Sequence, residues 1–262
     1  MLALVAGWAG SCRVYAVADS LYAGRALLEG RPAGVHLISR LRMDAAIWAP
    51  APPRRRGQTG RPHRRGVRLP TPAALAAACR RWRPVHMTIY GRELTTQVFT
   101  CRALWYTALR DHPLRIVVVR DPSGKRTDEA FFCTDVAADP AFILEAYARR
   151  WTLEVTFHDA KQFLGFEDPQ GQTPQAVRRT APLALLVYGL VLLWYADQRD
   201  DEHMSSWLPR PWYRTKTTPS FLDMLTALRR AGWQQYLSQP SWPPLLHQNA
   251  APPWHESLLA TA

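Results

Sequence analysis

The chain has 262 residues, of which 47% are hydrophobic and 21% charged, values ordinary for a soluble globular protein of one or two domains. Its net charge of +12 favours a polyanionic partner, most commonly nucleic acid. An acidic membrane surface is the rival partner, but it needs a basic amphipathic helix or a basic run beside a membrane segment, and neither is clear. Four scattered cysteines without a C-x-x-C pair fit reduced cytosolic thiols.

The first segment predicts an α/β arrangement. A strand at Arg13–Ala18 stops at Asp19, a helix covers Ser20–Leu28 and closes at Gly30, and a second strand covers Gly34–Leu41. Strand–helix–strand order predicts a parallel α/β core.

Residues 50–70 have a different composition. Seven arginines lie between Arg54 and Arg68, interleaved with Gly and Pro and without an acidic residue, which predicts a flexible loop. Such a loop is either simply solvated or an arm that follows a nucleic-acid backbone and becomes ordered on binding.

The sequence after residue 70 predicts a β-rich stretch that lies between helices. A helix over Thr71–Trp82 begins at a Thr-Pro cap. Clusters of β-branched and aromatic residues then predict four strands, with turns at Gly91 and 122–124: Met87–Tyr90, Thr95–Trp105, Leu114–Arg120 and Ala130–Asp135. Three helices follow: Pro140–Leu164, a buried one at Thr173–Ala196, and Ser220–Arg230 with Gly232 at its end. The apolar run Ala181–Ala196 is short for a membrane span of roughly 20 residues.

Polar residues form one stripe on the long helix Pro140–Leu164. With Glu154 at zero and about 100° per residue, Tyr147 lies near +20°, Arg150 near −40° and Lys161 near −20°. The adjacent sector predicts a core-facing side made of Phe142, Ala146, Leu153, Phe157 and Leu164. A carboxylate between two cations suits a divalent metal beside a phosphate. The alternative is an ordinary exposed pair of Arg150 and Glu154 at i, i+4.

The spacing Tyr147-x2-Arg150-x3-Glu154-x6-Lys161 resembles the signature of DDE-type bacterial insertion-sequence transposases of the Tyr-Arg-Glu-Lys group. Further stretches are similar to the same group over nearly the full chain: 18–24, 34–42, 147–170, 211–214 and 219–225.

The resemblance implies a ribonuclease-H-like fold on which two Asp and one Glu hold two Mg²⁺ (or Mn²⁺) ions for cutting and rejoining DNA. Asp19 matches the second Asp and Glu154 the Glu; an N-cap for the following helix is the alternative role of Asp19. Tyr147, Arg150 and Lys161 are expected to hold the DNA end. His158, near +40° on the stripe, either reaches DNA or is solvated.

The first Asp of the family has no clear counterpart. In the family it lies on the opening strand of a three-stranded meander, whereas only 18 residues precede Asp19, and residues 1–10 match the helix that follows the meander. Five downstream aspartates are unconvincing substitutes: Asp44, Asp111, Asp121, Asp128 and Asp135. The resemblance therefore predicts an N-terminally truncated, inactive transposase. The missing part is either absent or supplied from another reading frame.

The predicted organisation is an α/β chain in four parts. They are a partial ribonuclease-H-like core (1–42), a basic loop and β-rich insertion (43–137), helices that complete the core (138–197), and a Trp/Pro-rich helical tail (198–262). The implied partners are transposon terminal repeats and a second copy in a synaptic dimer, with no membrane, in the bacterial cytoplasm near the nucleoid. Two alternatives are a non-catalytic DNA-binding remnant and a degraded product without a role.

Overall fold

A computed structural model describes residues 1–53, 56–57, 59–110, 112–171, 173–198, 216 and 218–237. The chain divides into two compact units, Met1–Thr152 and Leu153–Ala262. The four-part division expected from the sequence stays a prediction. Several sequence expectations lie outside the described residues: Arg54, Arg55, Asp111, the 211–214 motif and most of the tail after residue 197.

A six-stranded sheet organises the first unit. Its strands are β1 (Val14–Ala18), β2 (Val35–Leu41), β3 (Arg83–Ile89), β4 (Arg92–Ala103), β5 (Leu114–Arg120) and β6 (Glu129–Cys133). They lie side by side in the order β1-β2-β6-β5-β4-β3. The predicted parallel pairing of β1 with β2 is confirmed, whereas the other four neighbouring pairs of these strands are antiparallel. The sheet is therefore mixed.

Seven α-helices accompany these strands in the described part of the chain. They are α1 (Leu2–Ala9), α2 (Arg25–Gly30), α3 (Pro72–Ala78), α4 (Pro140–Arg149), α5 (Thr152–Leu164), α6 (Pro174–Asp197) and α7 (Phe221–Leu237). The Thr-Pro cap is confirmed: Thr71 Oγ1 accepts a hydrogen bond from Ala74 N at 3.3 Å. Ser220 precedes α7, and its amide donates a hydrogen bond of 2.7 Å to Asp223 Oδ2, which is one half of a capping box.

Hydrophobic side chains alternate between the two faces of the sheet, as the two-residue period of a strand requires. On one face Leu37, Ile116 and Phe132 pack with α2 and α3. On the other face Ile38 and Val117 pack under α4. Burial of one such side chain stabilises the fold by about 1.5–3 kcal/mol. Both faces are covered, so the strands are fixed in register and their ends are well defined.

Three helix predictions need correction. The helix expected over Ser20–Leu28 is a 3-10 turn at Ser20–Tyr22 followed by α2, because Gly24 has an extended backbone (φ −91°, ψ 169°). The helix at Thr71 ends at Ala78, since Cys79 is extended. Gly232 lies inside α7 and does not terminate it.

The expectation that the second long helix is buried is wrong. Only Ala184 and Val191 of the 24 residues of α6 are buried, and Leu186 and Leu193 are 58% and 70% exposed. The neighbours α5 and α7 contact one side of α6, around Val191 and Phe221. By length and composition α6 is also apolar enough to cross a membrane, a property shared with core helices of soluble proteins.

The flexible loop expected around Arg54–Arg68 is partly fixed. Residues 66–69 pair with 47–49 through Gly66 N to Ala49 O (2.8 Å), Ala49 N to Val67 O (2.9 Å) and Leu69 N to Ile47 O (2.9 Å). Trp48 in turn exchanges two backbone hydrogen bonds with Leu104 at the end of β4. The end of the arginine-rich segment is therefore held against the sheet.

Candidate catalytic site

Asp19 lies directly after the carboxyl end of β1, the edge where α/β sheets place ligands. Its Oδ1 accepts hydrogen bonds from Ser20 N (2.5 Å) and Ser20 Oγ (3.2 Å), so Asp19 is an N-cap of the short 3-10 turn. The N-cap alternative is thus confirmed as a local role. Oδ2 makes no hydrogen bond with a described residue, which leaves one hard oxygen for a cation. Capping and cation binding are compatible at this carboxylate.

Three further aspartates that the structure describes in the first unit, Asp44, Asp121 and Asp128, have their own local partners. Asp44 follows β2 at the same edge as Asp19, but both its oxygens accept from Arg42, at 2.9 and 2.6 Å. Asp128 is bound in the same bidentate way by Arg120. Asp121 closes a turn with Ser123. A carboxylate already bound by a guanidinium, as at Asp44 and Asp128, is a poor free ligand for a metal.

Asp135 lies at the opposite end of the strands. It is 8% exposed and accepts a hydrogen bond of 2.7 Å from the hydroxyl of Tyr15, near the start of β1. This hydrogen bond holds the pKa of Asp135 below its ordinary value against the opposing effect of burial, and Arg13 adds to the lowering. Asp135 therefore stabilises the fold and does not share an edge with Asp19.

The helix that carries the signature residues is not continuous. The sequence predicts a single helix over Pro140–Leu164, but α4 ends at Arg149 and α5 begins at Thr152. The amides of Arg150 and Trp151 bond three residues back, to Tyr147 O and Ala148 O, which tightens and ends the last turn. The angles derived for an uninterrupted helix do not hold across this junction.

The side of the long helix that was predicted to face the core is partly exposed. Leu153, expected to be buried, is 57% exposed, and Phe142 is 37% exposed. On α5 the buried residue is Ala160. The core-facing side predicted for a single helix is therefore wrong at Leu153.

Tyr147 and Arg150 are adjacent at the end of α4. The guanidinium carbon of Arg150 lies 5.7 Å from the centre of the Tyr147 ring, a cation–π distance. The Tyr147 ring packs on Phe131 of β6 at 4.8 Å between centroids. Tyr90 Oη donates to Ala148 O at 2.7 Å, which fastens this end of α4 to the β3–β4 hairpin. The pair thus stands on a rigid support.

Glu154, His158 and Lys161 lie on exposed positions of α5. Glu154 is in its first turn, where the helix dipole favours a carboxylate. His158 Nδ1 is 3.3 Å from Asp159 Oδ1. Lys161 Nζ is 2.5 Å from Glu167 Oε1, and the two side chains are 45% and 63% exposed. An ion pair this exposed contributes at most about 1 kcal/mol, so Lys161 can exchange Glu167 for a phosphate.

Comparison with known proteins defines the class. The family model described as the transposase DDE domain matches residues 5–190 of this chain. A match over this much of the chain places it in that class by sequence. The chain belongs to the transposase DDE domain family. No curated protein matches it.

The family match includes every residue of the expected site. Asp19 and Glu154 are within it, as are the β-rich segment and most of α6, whereas α7 lies beyond it. Within the described residues, no group of three or more His, Cys, Asp or Glu side chains is arranged to hold a metal. Asp19 and Glu154 are the two carboxylates that the sequence assigned to a metal, and they lie in different compact units.

Proposed function

We propose that this chain is a DDE transposase of the Tyr-Arg-Glu-Lys group that acts on the ends of a transposon. The observation that carries the proposal is Asp19, whose free oxygen follows the carboxyl end of β1 inside the family match. The parallel β1–β2 pair, with α4 packed on one face of the sheet, supports a ribonuclease-H-like core. As a transposase the protein is expected to act on chromosomal DNA in the cytoplasm.

Asp19 and Glu154 are proposed to hold Mg²⁺ or Mn²⁺, since carboxylate oxygens are the ligands that these ions prefer. When bound, such ions activate the attacking oxygen and stabilise the leaving oxygen of a phosphodiester. The protein's own side chains position the DNA end. Arg150 grips a phosphate with two hydrogen bonds, Lys161 supplies a mobile charge, and Tyr147 and His158 offer a hydroxyl and an imidazole.

A third carboxylate completes the metal site in the family resembled here. In the described part of the chain, Asp44, Asp121, Asp128 and Asp135 are bound to other partners, which argues against each of them. β1 is an edge strand of the sheet, and its outer side offers backbone groups to which a further strand with an Asp can pair. We therefore propose that this chain alone does not cut DNA.

Metal binding and cutting are tested separately. Luminescence of Tb³⁺, an ion that replaces Mg²⁺ at oxygen sites, reports binding to the purified chain. We expect Asp19→Asn and Glu154→Gln each to weaken it at least tenfold, with Asp168→Asn as the exposed control. Equal Tb³⁺ affinity in all variants would contradict a metal site at Asp19 and Glu154. Duplexes taken from the DNA beside the gene should stay intact in Mg²⁺; cutting by the isolated chain would contradict the proposed inactivity.

A DNA-binding remnant without catalysis is the second candidate. The net charge of +12 and the exposed Lys161 favour it, since neither depends on metal. It predicts salt-sensitive DNA affinity that survives Glu154→Ala and falls with Arg150→Ala or Lys161→Ala. Unchanged affinity in both cationic variants would exclude it. A synaptic dimer is part of the first candidate, and sedimentation of the chain with end duplexes tests it.

A further inference from the structure

A basic cleft lies at the end of the strands opposite Asp19. Its larger part, about 650 Å³, is bordered by α2, by the start of β2 and by the β4–β5 connection. The basic side chains that line this part are Arg25, Arg31, Arg64, Arg110, His36 and His112. From Val35 to Ser39, the partner of Ala18, strand geometry gives a separation of roughly 13 Å along the sheet. The cleft is therefore distinct from the edge that carries Asp19.

A second cavity, of about 550 Å³, continues the cleft. It is lined by Arg61, His63, Arg64, Arg65, Tyr106 and Arg110. Arg64 and Arg110 line both parts and so join them. Cations are thus spread along one path and not gathered around one point. Such spacing suits a chain of phosphates better than a single small anion.

Cations outnumber acidic groups in the part of the cleft that the structure describes. Among those lining residues Glu29 is the acidic one, and it is already bound by Arg25 at 2.8 Å. Arg61, Arg64 and Arg110 make no hydrogen bond or ion pair with any residue that the structure describes. Asp135, near His36 at this end of the sheet, is bound by Tyr15 and Arg13. Arginines without acidic partners remain available for phosphate oxygens, which they bind bidentately.

The arginine-rich wall of the cleft is built into the fold. The guanidinium of Arg65 packs against two aromatic rings, 4.8 Å from the centre of Trp48 and 4.5 Å from that of Tyr106. The next residue, Gly66, has no room for a side chain, because a Cβ atom would lie 2.6 Å from Pro50 O. Stacking and close backbone packing therefore hold Arg64 at the cleft, so the segment does not have to become ordered from a flexible loop.

We propose that this cleft binds the sugar–phosphate backbone of a DNA segment other than the one placed at Asp19 and Glu154. That the polyanion is DNA rests on the proposed function. The contact is independent of base sequence, because the lining offers guanidinium and imidazole groups to phosphates. It needs no metal ion.

The test measures binding of a fluorescein-labelled 16-base-pair duplex of arbitrary sequence to the full chain, by anisotropy in EDTA between 50 and 200 mM salt. Arg64→Ala/Arg110→Ala should weaken binding at least tenfold and reduce the salt slope by about 2, since each phosphate contact accounts for about 0.9. Arg83→Ala/Arg92→Ala removes the same charge from the far strands β3 and β4 and should change affinity less than threefold.

Two results would overturn the proposal. One is equal affinity and equal salt slope in the cleft variant and the β3–β4 control. The other is that vesicles with 30% anionic lipid bind the wild type and lose binding in the cleft variant while DNA binding is unchanged. Arg64→Gln/Arg110→Gln repeats the test if the alanine variant unfolds. Because EDTA removes metals, failure here is distinguishable from failure of the Tb³⁺ experiment.

Discussion

The hydroxyl of Thr152 donates a 2.7 Å hydrogen bond to the carbonyl oxygen of Arg149, at the junction between α4 and α5. Arg149 is the last residue of α4, and its carbonyl would otherwise lack an intrahelical partner. Tyr147 and Arg150 thus belong to the end of α4, which is fastened to the sheet, and Glu154 and Lys161 belong to a separate helix. The four residues of the signature are therefore divided between two helices, with Tyr147 and Arg150 at the end of α4 and Glu154 and Lys161 on α5.

The Tyr15–Asp135 hydrogen bond should make stability depend on pH. The folded-state pKa of Asp135 is lowered, chiefly by Tyr15, so its contribution is present above the ordinary value of 3.8 and is lost as the pH falls. Burial, followed by Asp135, raises the pKa of Tyr15, so a second loss is expected as the pH rises past 10. Tyr15→Phe should lower the free energy of unfolding by about 1–3 kcal/mol at pH 7. It should also reduce the loss of stability at both low and high pH.

Urea unfolding between pH 3 and 11 measures this dependence. Tyr22→Phe is the matched control, because Tyr22 is 70% exposed and its hydroxyl makes no hydrogen bond with a described residue. If Tyr15→Phe and Tyr22→Phe give the same pH profile, the hydrogen bond does not stabilise the fold as argued.

Substitution of two glycines by alanine should change the stability of the fold in opposite directions. At Gly66 the new Cβ would meet Pro50 O at 2.6 Å, so Gly66→Ala should destabilise by about 1–3 kcal/mol. Gly232 lies inside α7 with open space around it, so Gly232→Ala should stabilise by about 0.5–1 kcal/mol. Thermal unfolding of both variants checks the pair, and a stabilising Gly66→Ala would refute the close packing of this segment.

Six strands of the fold were predictable from the sequence, because β-branched and aromatic clusters alternate with the period of a strand. β5 has the predicted bounds, and the two-residue turn at Tyr90-Gly91 has positive φ at both positions, as a tight hairpin favours. The helix junction was not predictable. It depends on hydrogen bonds made by Arg150, Trp151 and Thr152, residues that are equally compatible with a continuous helix.

Neither the exposure of α6 nor the basic cleft was predictable from the sequence, because both depend on tertiary structure. Apolar composition suggests a core helix, but it does not reveal that α5 and α7 contact only one side of α6. The arginines of segment 61–65 signal a polyanion site on their own. Arg31 and Arg110 join them only because the sheet brings the starts of β2 and β5 to one edge.

Removal of Lys161 should weaken DNA binding without affecting stability. Lys161→Ala loses only an exposed ion pair with Glu167, so unfolding should change by less than about 1 kcal/mol. Affinity for an end duplex should fall roughly five- to tenfold at 50 mM salt, with a smaller effect at 200 mM. Lys125→Ala, in the exposed β5–β6 turn, is the control of equal charge. Equal losses in both variants would mean that Lys161 acts only through net charge.

Cleavage of the polypeptide by bound Fe²⁺ tests the central claim, that Asp19 and Glu154 share a cation. Fe²⁺ substitutes for Mg²⁺ at oxygen ligands, and with ascorbate and peroxide its radicals cut the nearest backbone. The account predicts two sets of fragments, ending near residues 19 and 154, that disappear together with excess Mg²⁺ or in either Asp19→Asn or Glu154→Gln. Cuts near one of these residues and never near the other would contradict it.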